Sequence, residues 1–525
     1  MKRAAFILSL ALALSLGGCG TSRDRTDDPS PAKQIPKHIS LSLCMQNPNF
    51  SSFLPHDMVY YNDSQIYDLM YNTLVTANHA GTLLPEIAAA WEIDGLDYTF
   101  LLQRGVRFHD GRPLTAADVF FTLKQLIIHA SHQYKELLCI EGVSDYLSGK
   151  TADISGFQWI DDLRFKIKLR RKFNFFLHFL SAKFTSIIPD RFAGMSREEF
   201  NRRPIGTGPF ELKGFQDRVI RHRLFREYRF EKNETYFAEN GNVDEILFYI
   251  PTSREGLGTL LFFDIFIQDV DFDRREIERL PNRRIINTPP DVICFLALNP
   301  AAPGLQRNET RRRINRSIRR ERLLQGLKLP GHIPAHSIIP ATMFGYNPHH
   351  RIQPVAREKG QGKEDPISVD LLIHSGQRKI AAALRRDLAD ANIRVSLREV
   401  PPQEYFPAVS TRPPSENILV TGLPDYPAPY NFLNQLYEID GVLNHFRLNS
   451  PEILDLIHTL PTLDIKEEAA ALTRINALVE AESLYIPLYY SPDYIIMKDS
   501  IESLIFEYAG VIDFSSIEVD DERSD

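Results

Sequence analysis

Cysteine and tryptophan are scarce in this chain, whose 525 residues contain four cysteines and two tryptophans. Cys19 lies close to the start, and the other three, Cys44, Cys139 and Cys294, lie in apolar stretches. Three remaining thiols allow at most one disulfide, so disulfides do not form the framework of the fold. We expect all three to be small buried hydrophobic side chains. No apolar run reaches the about 20 residues that a membrane-spanning helix needs.

The overall composition is that of an ordinary globular protein, with 43% hydrophobic and 25% charged residues. A chain of 525 residues is too long for one compact core and predicts two or three domains. The net charge is −7, and removal of Lys2 and Arg3 with an N-terminal signal would make it −9. An acidic chain of this kind argues against nucleic acid as a partner.

The N-terminus has the pattern of an export signal. Lys2 and Arg3 precede a mostly apolar run over residues 4–16, which ends in Gly17-Gly18-Cys19. This ending resembles the lipobox of bacterial lipoproteins, which implies cleavage after residue 18 and lipid attachment at Cys19. An ordinary signal peptide that contains a cysteine is the alternative. Residues 19–38 are polar and rich in Ser, Asp and Pro, so we expect a flexible tether and an extracytoplasmic, membrane-anchored protein.

A strand, a turn and a helix are predicted in succession between residues 97 and 127. Tyr98, Phe100 and Leu102 alternate as in a half-buried strand, and Asp110-Gly111 is a tight-turn pair. Thr115 and Asp118 form a near capping box for a helix. The apolar face of that helix is expected at Ala116, Val119, Phe120, Leu123, Leu126 and Ile127.

These same segments carry a resemblance to a known family. One pattern is Pro-x-x-Ala-x-x-Trp followed by Tyr-x-Phe-x-Leu, in residues 85–102. The other is the run Arg-x-Gly-Val-x-Phe-His-Asp-Gly-x-Pro-Leu-Thr-Ala-x-Asp-Val, which residues 104–119 match almost letter for letter, except that Arg104 directly precedes Gly105. Further matches lie at residues 205–210, 233–246, 311–321, 384–400, 425–433 and 486–489. The chain resembles the family 5 extracellular solute-binding proteins, which comprise the peptide-, dipeptide- and nickel-binding receptors of ABC importers.

The resemblance implies an α/β fold of the type II periplasmic-binding-protein class, with two lobes, mixed sheets and a hinge. We expect lobe 1 at residues 39–290, completed by residues 482–518, and lobe 2 at residues 291–481. It further implies a monomer that captures short peptides between its lobes and delivers them to a permease and ATPase complex. Closure by hinge motion requires a ligand that contacts both lobes.

The resemblance also implies a ligand site around Asp425. In peptide-binding relatives the aspartate of this loop accepts the ligand's α-ammonium group, which is the charge that all free peptides share. Tyr426, Asn431 and Phe432 are expected to line the same loop, and Met45 and Asn47, after the first strand, a second wall. A turn aspartate exposed to water is the alternative interpretation of Asp425.

Other ligands and roles stay open. The same fold could bind a nickel chelate, haem, a sugar or an opine-like molecule, or serve as a sensor accessory or an extracytoplasmic chaperone. The sequence shows no catalytic constellation and no metal or cofactor motif, so we expect neither an enzyme nor a cofactor. Gly422 stands where many family members carry tryptophan, which puts ligand identity in doubt.

Three further patterns have competing explanations. Seven arginines lie within residues 311–322, and we expect a solvated helix face, partly paired with acids, rather than a nucleic-acid patch; a surface that docks a permease or anionic lipid is a second alternative. Gly206-Thr207-Gly208 lacks the Lys-Ser/Thr of a phosphate loop and predicts a turn with positive φ. The pair His349-His350 is expected in a solvated loop, with a nickel or haem contact as the alternative.

Overall fold

The computed structural model describes residues 38–46, 50–130, 135–253, 262–268, 280–328, 331–353, 366–410 and 414–520. The signal, the tether up to residue 37 and the predicted site residues Cys19 and Asn47 lie outside these ranges. Within them, no helix is long and apolar enough to cross a membrane.

The strands and helices follow one another as in a mixed α/β protein. The strands are β1 Ser40–Met45, β2 Val75–Ala77, β3 Leu83–Pro85, β4 Ala88–Asp94, β5 Asp97–Leu102, β6 Phe157–Trp159, β7 Arg164–Lys168, β8 Phe210–Ile220, β9 Arg223–Lys232, β10 Glu245–Pro251, β11 Ile265–Gln268, β12 Arg283–Asn287, β13 Val292–Ala297, β14 Ile333–Pro334, β15 Ile367–His374, β16 Ile393–Val400, β17 Asn417–Gly422, β18 Tyr485–Ser491, β19 Tyr494–Lys498, β20 Ile501–Phe506 and β21 Ile512–Val519. The α-helices are α1 Tyr61–Met70, α2 Ala116–Ala130, α3 Val143–Leu147, α4 Phe176–Phe179, α5 Arg197–Arg202, α6 Asn308–Ser317, α7 Arg320–Leu327, α8 Arg378–Ala389, α9 Pro402–Ser410, α10 Pro429–Tyr437, α11 Pro451–Thr459 and α12 Ile465–Glu482.

Two large mixed sheets organise the described chain. The seven-stranded sheet has the order β12-β19-β11-β1-β10-β9-β8, with β1 parallel to both of its neighbours. The six-stranded sheet has the order β14-β18-β13-β17-β15-β16, with β15 parallel to both of its neighbours. Parallel pairing needs long crossover connections, which here contain helices such as α8 between β15 and β16.

The chain crosses between the two sheets twice. The first crossing joins β12 to β13, and the second joins β18 to β19. The crossings lie side by side, because the backbone N–H of Thr288 donates to the carbonyl of Asp493 at 3.0 Å and the N–H of Asp493 donates to Thr288 Oγ1 at 2.8 Å. Two paired connections are a natural place for a hinge.

The strand, turn and helix predicted between residues 97 and 127 are confirmed. β5 lies in a four-stranded antiparallel sheet of order β4-β5-β7-β6, and Gly111 has φ +86° in the turn. Asp118 Oδ2 accepts from the Thr115 backbone N–H at 2.8 Å and from its hydroxyl at 3.0 Å, which closes the first turn of α2. Ala116, Val119, Leu123, Leu126 and Ile127 are buried, while Phe120 is half-buried and stacks on Phe157.

The expectation of positive φ at Gly206 and Gly208 is wrong. Neither glycine has a left-handed backbone conformation. Instead, both pass very close to helix α1: a Cβ on Gly206 would lie 1.8 Å from the Met70 carbonyl oxygen, and one on Gly208 would lie 2.4 Å from the Met70 carbonyl carbon. These positions need glycine because no side chain fits, rather than because of the turn.

The arginine-rich segment departs from the expected solvated face. It forms two helices, α6 and α7, and Arg311 and Arg320 are buried, with 4% and 1% of their surfaces exposed. Backbone carbonyls hold both side chains: Arg311 Nε donates to Glu482 O at 2.8 Å, and Arg320 Nε donates to Pro487 O at 2.7 Å. The expectation holds for the exposed Arg316 and the half-buried Arg322, which lie within 4 Å of acidic side chains.

The three cysteines of the described chain are buried, as expected. Cys139 lies in the largest apolar cluster, which extends from the four-stranded sheet to helices α10–α12. Cys44 and Cys294 lie in apolar clusters of the seven- and six-stranded sheets. Burial raises the pKa of the Cys139 and Cys294 thiols to about 12, so they are packing groups at neutral pH.

Candidate functional site

The predicted ligand residue Asp425 lies in a proline-framed loop between β17 and α10, which we call the Asp425 loop (residues 423–428). Pro424 and Pro427 restrict the backbone on both sides of the aspartate. Pro429 occupies the first turn of α10, where proline is favourable because its missing N–H has no helical partner. The sequence therefore places Asp425 on a stiff loop directly before a helix.

Helix α10 turns two amide side chains onto Asp425. Asn431 Oδ1 accepts from the Asp425 backbone N–H at 2.8 Å, and Asn431 Nδ2 donates to Asp425 Oδ2 at 3.3 Å. Gln435, one turn further, donates to the same carboxylate oxygen at 2.8 Å. These neutral donors fix the orientation of the carboxylate without neutralising its charge.

Asp425 is half-buried, and burial raises the pKa of its carboxyl to about 6, against the effect of the hydrogen bonds from Asn431 and Gln435. Within the described part of the chain, no Lys, Arg or His side chain forms an ion pair with it. A partly dehydrated carboxylate without a cation gains strongly from a charged donor. This arrangement can bind an ammonium group.

The neighbouring Tyr426 is fully buried against an earlier part of the chain. Its hydroxyl donates to Glu136 Oε1 at 3.0 Å, and its ring lies edge-on to Phe179, with 5.9 Å between centroids. Glu136 belongs to a short helical turn, Lys135–Cys139, that follows α2. A second contact joins Pro427 to Gly81, where an added Cβ would lie 3.1 Å from the proline Cβ.

Tyr430, the second residue of α10, adds aromatic contacts to those of Tyr426. Tyr430 stacks on Phe175 with ring centroids 5.7 Å apart and meets Phe173 edge-on at 5.4 Å. Burial raises the pKa of the Glu136 carboxyl to about 7, with the Tyr426 hydrogen bond acting in the opposite direction. Around Asp425 the structure thus assembles aromatic rings and a second carboxyl group.

The remaining predicted site residues take different places. Asn431 orients Asp425, whereas Phe432 is buried in the core and packs beneath Gly422, whose added Cβ would lie 2.8 Å from the Phe432 ring. Met45 ends β1 and is buried in the core of the seven-stranded sheet. The structure therefore brings Asp425, Tyr426 and Asn431 together and uses Phe432 as packing; contact of any of them with ligand stays a prediction.

Two residues of the site were not predicted from the sequence. Gln435 follows Asn431 by one helical turn, so its side chain on the same face of α10 was open to prediction from spacing. Glu136 lies 290 residues away from Tyr426. No local pattern marks such a pair.

The described residues contain no group of three or more His, Cys, Asp or Glu side chains that could hold a metal ion. His349 is exposed, and His350 Nε2 lies 3.4 Å from Glu480 Oε2.

Comparison with known proteins identifies the relatives of this chain. The family model for bacterial extracellular solute-binding proteins, family 5 Middle, matches residues 82–442. "Probable di/tripeptide-binding protein 5" of Pseudomonas aeruginosa is 26% identical over 520 residues, which cover 91% of this chain and 95% of that protein. "Heme-binding protein A" of Haemophilus influenzae is 22% identical over 563 residues, which cover 99% of this chain and all of that protein.

Solved structures show the fold. The ABC transporter-associated periplasmic binding protein DppA from Helicobacter pylori, in complex with the peptide STSA, superposes with a TM-score of 0.73 at 19% identity, covering 92% of this chain and 98% of that one. The fold class expected from the sequence, a two-lobe type II periplasmic-binding-protein fold, is confirmed.

Proposed function

Because the chain belongs to the family 5 bacterial extracellular solute-binding proteins, we propose that it captures short peptides with a free amino terminus and delivers them to an ABC importer. We propose lobes with the bounds expected from the sequence, residues 39–290 with 482–518 and residues 291–481, shifted at the second crossing. Lobe 1 then comprises residues 39–290 with 492–518 and lobe 2 residues 291–491, because β18 pairs with β13 and β14 in the six-stranded sheet. The lobes close about the two paired crossings. Asp425 receives the α-ammonium group of the peptide. The observation that carries this proposal is a partly buried carboxylate that is oriented by two amides and has no cation within the described residues.

The electrostatics of the Asp425 site favour a charged amine over a neutral group. An ammonium–carboxylate hydrogen bond in a partly dehydrated site is roughly twice as strong as one between neutral groups. Acetylation of the peptide removes the charge and leaves the partly buried carboxylate without a cationic partner, so we expect at least a tenfold loss of affinity. Peptide binding lowers the pKa of Asp425 from about 6, so affinity is expected to weaken as the pH falls through 6.

Thermal unfolding in the presence of ligands tests the proposal. We expect di- to hexapeptides with free amino termini to raise the midpoint, and their N-acetylated forms to do so much less. Asp425→Asn keeps the size of the side chain and should abolish this difference, whereas the control Asp455→Asn, on an exposed position of α11, should preserve it. A midpoint raised by nickel chelates or haem but by no peptide would contradict the proposed ligand.

We further propose that Cys19 carries a lipid anchor and that the protein acts as a monomer. The support for the anchor is the sequence Gly17-Gly18-Cys19 after a short apolar run. Incorporation of a labelled fatty acid into the wild-type protein, and its loss in Cys19→Ala, tests the anchor. Unlabelled wild-type protein that is cleaved at another position would indicate an ordinary signal peptide.

A further inference from the structure

Glu136 is tied to the ligand loop from a distant part of the chain. Only 4% of its surface is exposed, and its Oε1 accepts the Tyr426 hydroxyl at 3.0 Å. Among the described residues, this is the one side-chain hydrogen bond between the Asp425 loop and the segments that precede residue 200. Tyr426 is the immediate neighbour of Asp425, so the position of its ring also determines that of the carboxylate.

Among the described residues, no Lys, Arg or His side chain forms an ion pair with Glu136, although the Lys135 charge slightly offsets the rise in its pKa that burial causes. Lys135 is adjacent, but its Nζ lies 2.7 Å from Asp440 Oδ1 and 3.4 Å from Glu438 Oε2. Several charged and titratable groups act on Glu136, on the neighbouring Tyr426 and Tyr430 hydroxyls, or on the Cys139 thiol. They are Lys135, Cys139, Arg170, Arg171, Asp425, Tyr426, Tyr430 and Glu438. A buried carboxyl in these surroundings serves to accept a hydrogen bond rather than to form an ion pair.

We propose that Glu136 is a positioning residue for ligand binding: by holding the Tyr426 hydroxyl, it keeps the adjacent Asp425 carboxylate where it meets the ligand's ammonium group. The identity of the ligand in this inference rests on the proposed function. The hydrogen bond between Tyr426 and Glu136 does not depend on that function. Pro424 and Pro427 make the loop stiff, so displacement of Tyr426 moves Asp425 with it. Loss of one partner of a buried hydrogen bond changes an equilibrium constant by about tenfold.

The proposal has a consequence for pH dependence. When the loop is undocked and Glu136 is hydrated, we expect an ordinary pKa of about 4.3. The docked arrangement raises this pKa to about 7 because the carboxyl is buried. Docking therefore favours the protonated carboxyl and weakens as the pH rises toward 7. Asp425 produces the opposite trend in the wild type and in the Glu136 variants, so the ratio of their affinities chiefly reports the titration of Glu136.

Four variants separate positioning from general stability. Glu136→Gln keeps an oxygen that can accept from Tyr426 but cannot ionise, and Glu136→Ala removes the acceptor. Tyr426→Phe removes the donor. Tyr405→Phe is the matched control, because the buried Tyr405 hydroxyl donates to the backbone carbonyl of Leu419 at 2.8 Å, away from Glu136.

Peptide affinity is measured by calorimetry at pH 5.5 and 7.0 with free and N-acetylated peptides. We expect Glu136→Ala and Tyr426→Phe each to weaken binding of the free peptide about tenfold, with no further loss in the double variant. Tyr405→Phe should change affinity less than twofold. The ratio of wild-type to Glu136→Gln affinity should fall between pH 5.5 and 7.0, by threefold or more and by at most about 30-fold for one proton. Additive losses, or a ratio that does not change with pH, would overturn the proposal.

A measurement without ligand decides the positioning role if no peptide binds. Spin labels at the exposed Ser144 and Thr421, each replaced by cysteine, report the distance between α3 and the end of β17. We expect Glu136→Ala and Tyr426→Phe to add longer distances, and Glu136→Gln to retain the wild-type distribution. Absence of peptide binding together with this shift would refute the proposed ligand alone. An unchanged distance distribution in both Glu136→Ala and Tyr426→Phe would refute the positioning role.

Discussion

Removal of the Lys183 ammonium group is a perturbation for which the structure predicts a large loss of stability. Lys183 Nζ lies 2.5 Å from Asp68 Oδ1 and 2.5 Å from Glu507 Oε2, and all three side chains are buried or nearly so. Glu86 is close enough to raise the lysine pKa, and it accepts from the Thr73 N–H at 2.8 Å. One cation thus faces three carboxyl groups from α1, the turn before β4 and the end of β20.

The magnitude follows from the charges that would be left behind. Burial would lower the pKa of Lys183, but Asp68, Glu507 and Glu86 raise it well above its usual value, so the ammonium stays charged. In Lys183→Met the carboxyls lose the one cation that faces them among the described residues, and removal of one partner of a buried ion pair destabilises a protein by about 3–5 kcal/mol. Exposed pairs contribute about 0–1 kcal/mol, so Lys124→Met, which breaks a pair with the exposed Asp153, is the control.

The loss of stability in Lys183→Met should depend on pH in a defined direction. Burial raises the pKa of Asp68 and Glu86, and removal of the ammonium raises both further. A carboxyl with a raised pKa in the folded state is most compatible with folding when protonated, so the stability of Lys183→Met should decrease as the pH rises. The added loss is at most about 1.4 kcal/mol per pH unit for each titrating group.

Denaturant unfolding at pH 5 and pH 8, followed by fluorescence and circular dichroism, measures both effects. We expect the midpoint of Lys183→Met to fall far below that of Lys124→Met, and the difference to be larger at pH 8. The second substitution Asp68→Asn should recover part of the loss in the Lys183→Met background. Equal midpoints for the two lysine variants, or a loss that shrinks at pH 8, would refute the account of the cluster.

Two further predictions concern glycines near the ligand loop. Gly422→Trp, which introduces the residue common in the family, should destabilise the protein by about 1–3 kcal/mol because its Cβ would meet the Phe432 ring at 2.8 Å, and denaturant unfolding measures this. Gly81→Ala and the control Gly95→Ala each place alanine at positive φ, +75° and +62°, and each should lose about 1–2 kcal/mol. Only Gly81 meets Pro427, so calorimetry should show weaker peptide binding for Gly81→Ala alone; equal affinities would contradict a role for this contact.

Local patterns were sufficient where the structure depends on neighbours in the chain. The alternation of Tyr98, Phe100 and Leu102 predicts β5 because strand side chains point to opposite faces with a period of two. Thr115 and Asp118 predict the start of α2 because capping satisfies donors within one turn. The motif resemblance further predicted the fold class and a loop that carries Asp425. It placed Asn431 and Phe432 on that loop, whereas both lie in helix α10.

Prediction failed where long-range packing decides. The arginine-rich segment indicates a solvated helix by composition, yet Arg320 is buried because the carbonyl of Pro487 and the side chain of Asn315 accept its hydrogen bonds. Gly206 and Gly208 suggest a turn, but the approach of helix α1 is what excludes a side chain there. The Pro487 carbonyl lies 167 residues from Arg320, and helix α1 is likewise distant in sequence from Gly206 and Gly208, so neither outcome has a local signal.

The sequence by itself determined the family, the two-lobe fold class and the stiff loop that carries Asp425, because motifs, periodicity and proline geometry depend on residues close together in the chain. Only the tertiary structure decided that Asp425 is partly buried with no cation among the described residues, and that Glu136 meets Tyr426 across 290 residues. Burial and the charge state of a carboxyl depend on what surrounds it in space. Those surroundings are assembled from segments whose spacing in the sequence carries no record of their contact.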